Sequence, residues 1–415
     1  MRTFIRSVSV LVLTLTAIAL ASGTDSRAAQ FELVFKSCPE DLGQDVEKLR
    51  QSHRNCMSSP EKVRDGRFAV RMSGEIELGD AGRLERLLDD HMESGRSLGY
   101  GKQGGSYVTV MMSGAAGSVD GAIELGRFFK ENSVFTRVAK DATCAGACAL
   151  AFMGGAAQWG RLTRHAVERR LEAGGQLVFK SPIYGVSDSG GDAAAAAERL
   201  RERIRAVQSY AVYADIPPLL LNKILALKET DTLPIDRVFW AKVAGIAVEG
   251  VSPMTDPKDK DYISACQAQA DWDYGRQREY KEPPLEEKEG EIFHRDREFL
   301  IVAVVESFAR YDYWCAINTV RAKEVKILRQ RVRTILRKWS GRNSLLVHDY
   351  NDDIVLKPNQ IYFSKAANDF ADTRSAYSLD LLLRAPETKL AAIADPQFKW
   401  NPWSDVQPWF EHDSP

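Results

Sequence analysis

From Arg67 to Val248, strand-like apolar runs alternate with segments of helical period, and this alternation constrains the fold more than any other feature of the chain. Phe68–Met72, Tyr107–Met112, Phe135–Val138 and Leu177–Phe179 are short, apolar and rich in β-branched or aromatic residues, as buried strands are. Between them, the stretch from Ala81 to Met92 places Leu84, Leu87, Leu88 and Met92 on one helical face, with Asp80 expected as its cap. A second helix, expected to be capped by Ser118, carries Ile123, Leu125, Phe128 and Phe129. Ala193–Tyr213 predicts a long helix. Pro217-Pro218 ends it, a further helix carries Leu219 to Leu225, and Asp236–Ala244 closes at Gly245. The basic stretch Gly155–Gly175 is expected to be a helical excursion. Strands and helices in alternation imply an α/β domain.

On either side the composition changes. Residues 30–66 form an N-terminal extension with a strand at Phe31–Phe35. The α/β domain is expected to span 67–250. Residues 251–260, with Pro253, Pro257, Asp256 and Asp259, are expected to be a linker. The remainder, 261–415, is expected to be a mainly helical region of unassigned type, with a long helix from about Arg295 to Trp339 and a tail carrying Trp400, Trp403 and Trp409. In that helix Arg321, Lys326, Arg329 and Arg333 surround Val325, Ile327, Leu328 and Val332. This pattern fits a helix packed on the domain, with a membrane-surface or partner contact as the alternative.

The first residues bear on compartment. Arg2 and Arg6 precede an apolar run, Val8–Leu20, of roughly 13 residues, short of the ~20 that span a bilayer. Ala19-Leu20-Ala21 offers small residues at a cleavage site, and a second cut is possible after Ala28 or Ala29, so residues 1–29 are expected to be a signal peptide. The protein is then periplasmic or secreted. Cys38, Cys56, Cys144, Cys148, Cys266 and Cys315 are an even set in an exported chain and suggest disulfides. Six cysteines allow 15 pairings. The set Cys38–Cys56, Cys144–Cys148 and Cys266–Cys315 keeps each pair within one proposed domain. Zinc at Cys144 and Cys148 is the rival, but it needs two further ligands, and only His165 lies near in sequence. The net charge of −1 and an exported location argue against nucleic acid as a partner.

Several short motifs occur in a telling order. They are Met72-Ser73-Gly74-Glu75-Ile76, Gly114-Ala115-Ala116-Gly117-Ser118-Val119, Cys144-Ala145-Gly146-Ala147-Cys148-Ala149, Gly154-Gly155 and Phe179-Lys180-Ser181-Pro182. Order and spacing resemble the Clp protease/crotonase superfamily, in particular alphaproteobacterial periplasmic Clp-protease-like proteins, over about Arg67 to Val248. The resemblance implies a crotonase-like ββα superhelix and a tendency to form homo-oligomers. In such a site a serine attacks a carbonyl, a histidine takes its proton, an acid orients the histidine, and backbone N–H groups hold the oxyanion.

The resemblance places Gly146 where the family has serine, Lys180 where it has histidine, and Asp231 at the acid. Gly117 and the N–H of Ala147 fall at the oxyanion pocket. Loss of the serine from such a site costs on the order of 10⁶ in turnover. The expectation is therefore a non-catalytic protein that binds a protein or peptide or serves in assembly, with no cofactor and no metal. The alternative is a serine-type hydrolase built on Lys180. Lysine can serve as a base when its pKa is lowered, and signal peptide peptidase A, in the same superfamily, uses a serine–lysine pair. Ser113, Ser118 and Ser181 are the candidate hydroxyls, and a thiol of Cys144 or Cys148 is a further candidate nucleophile. His165, among Arg164, Arg169 and Arg170, is read as part of a solvated basic helix, with an anion or lipid-headgroup contact as the sharper possibility.

Overall fold

The computed structural model describes residues 28–36, 62, 67–92, 107–158, 165–183, 193–273, 290–304, 313–319, 325–327, 354–356, 361–364 and 378–400. Its main sheet has six strands: β1 (Gln30–Lys36), β2 (Arg67–Ser73), β3 (Tyr107–Met112), β4 (Phe135–Val138), β8 (Arg169–Glu172) and β11 (Ala247–Glu249), in that order across the sheet. β1 runs antiparallel to β2, and every other neighbouring pair is parallel. Parallel strands need covered faces, and accordingly Val70, Met72, Val108 and Val110 are fully buried.

A second, smaller layer consists of β5 (Thr143–Ala145), β9 (Gln176–Lys180) and β10 (Thr232–Pro234), with β9 in the centre. The chain reaches it repeatedly in the same way. After β2 it turns at Gly74, and Ile76 bridges Gly117 before helix α1 (Asp80–His91). After β3, Gly114 bridges Cys144 before helix α2 (Val119–Glu131). β4 is followed by β5 and helix α3 (Ala147–Phe152), and β8 by β9 and helix α4 (Ala193–Tyr213). Four times, then, a main-sheet strand leads to a short extended piece in the second layer and then to a helix.

The helices seal the core between the layers. Ser118 caps α2 as expected, its hydroxyl accepting from the Gly121 amide at 3.3 Å. Leu125 and Phe129 of α2 and Leu84 and Leu88 of α1 are buried, each such side chain contributing about 1.5–3 kcal/mol. On α1 the cap position is Gly79. Asp80 is the first helical residue, where its carboxylate accepts the Glu77 amide at 2.8 Å and pairs with Arg83. Tyr210 docks α4 by donating its hydroxyl to the Leu150 carbonyl of α3 at 3.1 Å. Helices α5 (Pro218–Leu225) and α6 (Val238–Val243) follow the predicted positions.

Two expectations are overturned. The basic stretch Gly155–Gly175 is not helical where it is described. It contains a hairpin of β6 (Ala156–Gln158) and β7 (His165–Val167), then β8. Its charges misled the reading, because Arg169 is buried and donates to the Ala214 and Ala244 carbonyls rather than facing water. Nor is the C-terminal region mainly helical among its described residues. Helix α7 (Asp259–Asp273) precedes an antiparallel sheet of β12 (Gly290–Arg295), β13 (Phe299–Val304), β14 (Tyr313–Asn318) and β17 (Ile361–Ser364), and β15 (Val325–Ile327) pairs with β16 (Ile354–Leu356). The sequences FLIVAV and YWCAIN, paired Phe299 to Asn318 through Val304 to Tyr313, bury Leu300, Ile301, Val302, Cys315 and Ile317. Short apolar runs of this kind do not reveal their period, and β-branched content decides for strand.

Residues 378–400 return to the first unit. Helix α8 (Leu379–Leu382) is followed by contacts of Pro386 and Thr388 carbonyls with the Phe239 and Val238 amides. Val251 bridges Ala394, and the Asp395 amide donates to the Gly250 carbonyl. Two disulfides match the expected pairs, Cys144–Cys148 and Cys266–Cys315, the second tying α7 to β14. Cys38, Cys56 and residues 1–27 lie outside the described residues. Among the described residues no helix is long and apolar enough to cross a membrane.

Candidate functional site

The site is organised by the turn from β5 into α3. β5 pairs in parallel with β9, Ala145 opposite Val178, and the Gly146 amide continues the ladder to the Val178 carbonyl at 2.9 Å. Gly146 then adopts φ 59° and ψ −115°, a conformation that L side chains rarely take, and α3 begins at once with Ala147. A strained strand-to-helix turn of this type is what lifts a nucleophile clear of a sheet in hydrolytic enzymes. Here the residue lifted is glycine. The Cys144–Cys148 disulfide spans the turn with both cysteines fully buried, which removes the zinc reading and both thiol nucleophiles.

Lys180 ends β9, opposite Thr232 of β10, and is exposed. Its Cδ lies 3.6 Å from the point that a Cβ on residue 146 would occupy, so the fold brings Gly146 and Lys180 together. The Ala115 carbonyl oxygen lies 3.8 Å from the same point. Asp231 directly precedes Thr232, but its carboxylate accepts the Lys228 amide at 3.2 Å and closes a local turn. Among the described residues the Lys180 ammonium has no hydrogen-bonded or ion-paired partner.

Gly117 has φ 133°, and a side chain there would meet the Ile76 backbone at 2.5 Å. The bonds of its neighbours to Ile76, Ser118 N–H to Ile76 carbonyl and Ile76 N–H to Ala116 carbonyl, leave the Gly117 amide outside that ladder. In α3 the first intrahelical bond runs from the Leu150 amide to the Gly146 carbonyl at 3.1 Å, so the Ala147 amide has no acceptor within the helix. The candidate hydroxyls are engaged elsewhere or set apart. Ser113 donates to the Met72 carbonyl at 3.0 Å, Ser118 caps α2, and among the described residues the buried Ser181 hydroxyl has no hydrogen-bond partner. His165 lies in β7 rather than in a basic helix. Among the described residues no cluster of three or more metal-type ligands occurs.

The sequence reading missed a charged cluster at the carboxyl ends of β4, β8 and β11. Arg137 is fully buried, bonds Glu172 at 2.9 Å and pairs with Glu249, while Arg170 bonds Glu249 at 2.9 Å and Glu168 at 3.3 Å. The Trp400 ring covers the Arg137 guanidinium at 4.5 Å. Burial alone would raise the Glu249 carboxyl, but the Arg170 and Arg137 guanidiniums reverse this and hold it below the usual carboxylate range. Apart from Arg170 and Glu168, two residues apart, the partners are distant in sequence, 35 residues for Arg137 and Glu172 and 79 for Arg170 and Glu249, and the parallel register of the sheet joins them.

No family model matches the chain, and no curated protein is similar to it. Among solved structures, a mutant of the membrane-bound stomatin-specific protease 1510-N is similar over 43% of this chain and 77% of that one, with 14% identity and a TM-score of 0.28. So slight a likeness carries no assignment, and the site is interpreted from its own residues.

Proposed function

We propose that the protein is an exported, Clp-protease-like binding protein whose hydrolytic site is degenerate. The observation that carries this reading is the β5–α3 turn. It has the geometry that presents a nucleophile, yet its residue is Gly146, and beside it stands Lys180, at the position where the resemblance expects a histidine. The repeated strand–strand–helix order of the fold supports the crotonase-like assignment. The two disulfides favour an oxidising compartment such as the periplasm. The surface around this turn then binds an extended protein or peptide segment without cutting it, in a protein that self-associates.

The competing reading, a lysine-dependent hydrolase, requires a hydroxyl or thiol within about 3.2 Å of the ammonium. Among the described residues none hydrogen-bonds to Lys180. The test is incubation of the purified protein with a diverse peptide library, read by mass spectrometry beside a Lys180→Ala variant. Intact peptides in both reactions support a binding protein. Cleavage that disappears in the variant overturns that account.

A further inference from the structure

We infer that residues 384–400 form a clasp that opens and closes over the end of the main sheet, with the Trp400 ring on Arg137 as its latch.

Helix α6 begins at Arg237 without a side-chain cap, so the amides of its first turn need acceptors from elsewhere. The clasp supplies them. The Val238 amide donates to the Thr388 carbonyl at 3.0 Å, and the Phe239 amide donates to the Pro386 carbonyl at 2.9 Å. In return the Leu390 amide donates to the Asp236 carbonyl at 2.8 Å, and Arg237 pairs with Glu387 at 2.6 Å. Further along, the Ser252 amide donates to the Ile393 carbonyl at 2.7 Å, and the Asp395 amide donates to the Gly250 carbonyl at 2.6 Å. The chain just past β11 thus gains an antiparallel partner.

Little of this attachment is buried. Between Arg384 and Trp400 only Leu390 and Ile393 are buried, and the Arg237–Glu387 pair is exposed on both sides, where ion pairs contribute little. Segments with few buried apolar contacts open before the core does.

Among the described residues the last backbone bond from the clasp to the first unit is that of Asp395. Beyond it come two ring contacts. Phe398 lies against Gly250, where a Cβ would meet the ring at 2.6 Å, and the Trp400 ring covers Arg137 at 4.5 Å. Arg137 is fully buried and pairs with Glu172 of β8 and Glu249 of β11, so the ring rests on a cation fixed in the sheet. A desolvated cation under an aromatic face is the favourable setting for this contact.

The test is hydrogen exchange of the full chain, with peptides from residues 236–254 and 384–400 read against those of β3. Wild type is compared with Trp400→Ala and Trp400→Phe. Trp400 is half-buried and outside the core, so both variants keep the fold. In wild type the clasp amides, Leu390, Ser252 and Asp395 among them, are expected to exchange faster than those of β3. Trp400→Ala is expected to speed them about tenfold further and to leave β3 unchanged, with Trp400→Phe in between. Clasp amides as slow as those of β3 in wild type would overturn local opening, because the clasp would then open only with the whole fold. Equal acceleration of clasp and β3 in the alanine variant, or none in either, would overturn Trp400 as the latch.

Discussion

The Cδ of Lys180 lies 3.6 Å from the point where residue 146 would carry its Cβ, although 34 positions separate the two residues in sequence. The parallel pairing of β5 with β9 creates this proximity. It places the lysine beside a strand-to-helix turn occupied by glycine.

Restoring a hydroxyl at that turn is therefore informative. Gly146→Ser is expected to cost about 1–3 kcal/mol of stability, because serine must adopt a sparsely populated conformation. A Cβ there meets no atom closer than 3.6 Å. A fluorophosphonate probe is expected to label the variant, not the wild type, and labelling should vanish when Lys180→Ala is added. Labelling that ignores Lys180 would show that the two residues do not act together.

The charged cluster predicts an acid-dependent stability. The folded-state pKa of Glu249 lies below its ordinary value of 4.5, so its stabilising contribution is complete above that value and is lost as pH falls through the lower, folded value. The urea midpoint should carry no Glu249-dependent slope from about pH 7 to about pH 5 and should fall below that. Glu249→Gln flattens the acid limb and lowers stability at neutral pH by about 3–5 kcal/mol, since two buried or half-buried guanidiniums lose their shared partner. An unchanged acid limb would mean that Glu249 does not titrate with folding.

The two disulfides should differ in weight. By loop-closure entropy, Cys266–Cys315, with a separation of 49, contributes about 4 kcal/mol, and Cys144–Cys148, with a separation of 4, contributes about 2 kcal/mol. Denaturant titrations of the paired alanine variants should rank them in that order. The reverse order would indicate that the short bridge acts mainly by holding the Gly146 turn in the folded state.

Tyr210 offers a test of helix docking. Tyr210→Phe keeps the ring but removes the hydroxyl's bond to the Leu150 carbonyl, which still accepts the Met153 amide at 3.2 Å, so the expected cost is about 0.5–1.5 kcal/mol. Thermal unfolding that matches wild type would place the docking energy in the ring alone.

What was legible in the sequence follows from local chemistry. The strands at Phe68–Met72 and Tyr107–Met112, the faces of α1 and α2, the Ser118 cap of α2 and both described cysteine pairs could be read because composition or spacing signals them directly, whereas the cap of α1 falls on Gly79 rather than on Asp80. Gly146 and Lys180 were singled out from motif order, and the structure adjoins them. The misses share one cause. In Arg169–Glu172 and in Phe299–Val304 the residue types are compatible with either helix or strand, and the partners that decide, β4 and β11 for the first and β14 for the second, are distant in sequence. The Arg137–Glu249 pair was invisible for the same reason.

We propose that the surface at the Gly146 turn binds chain segments and cuts none. The most direct measurement passes a diverse peptide library over the immobilised protein and determines the mass of every retained peptide on elution, beside the Lys180→Ala variant. The account predicts that wild type retains a subset of peptides and releases them at full length. Shortened peptides from wild type that are absent from the variant would contradict it and establish a lysine-dependent hydrolase.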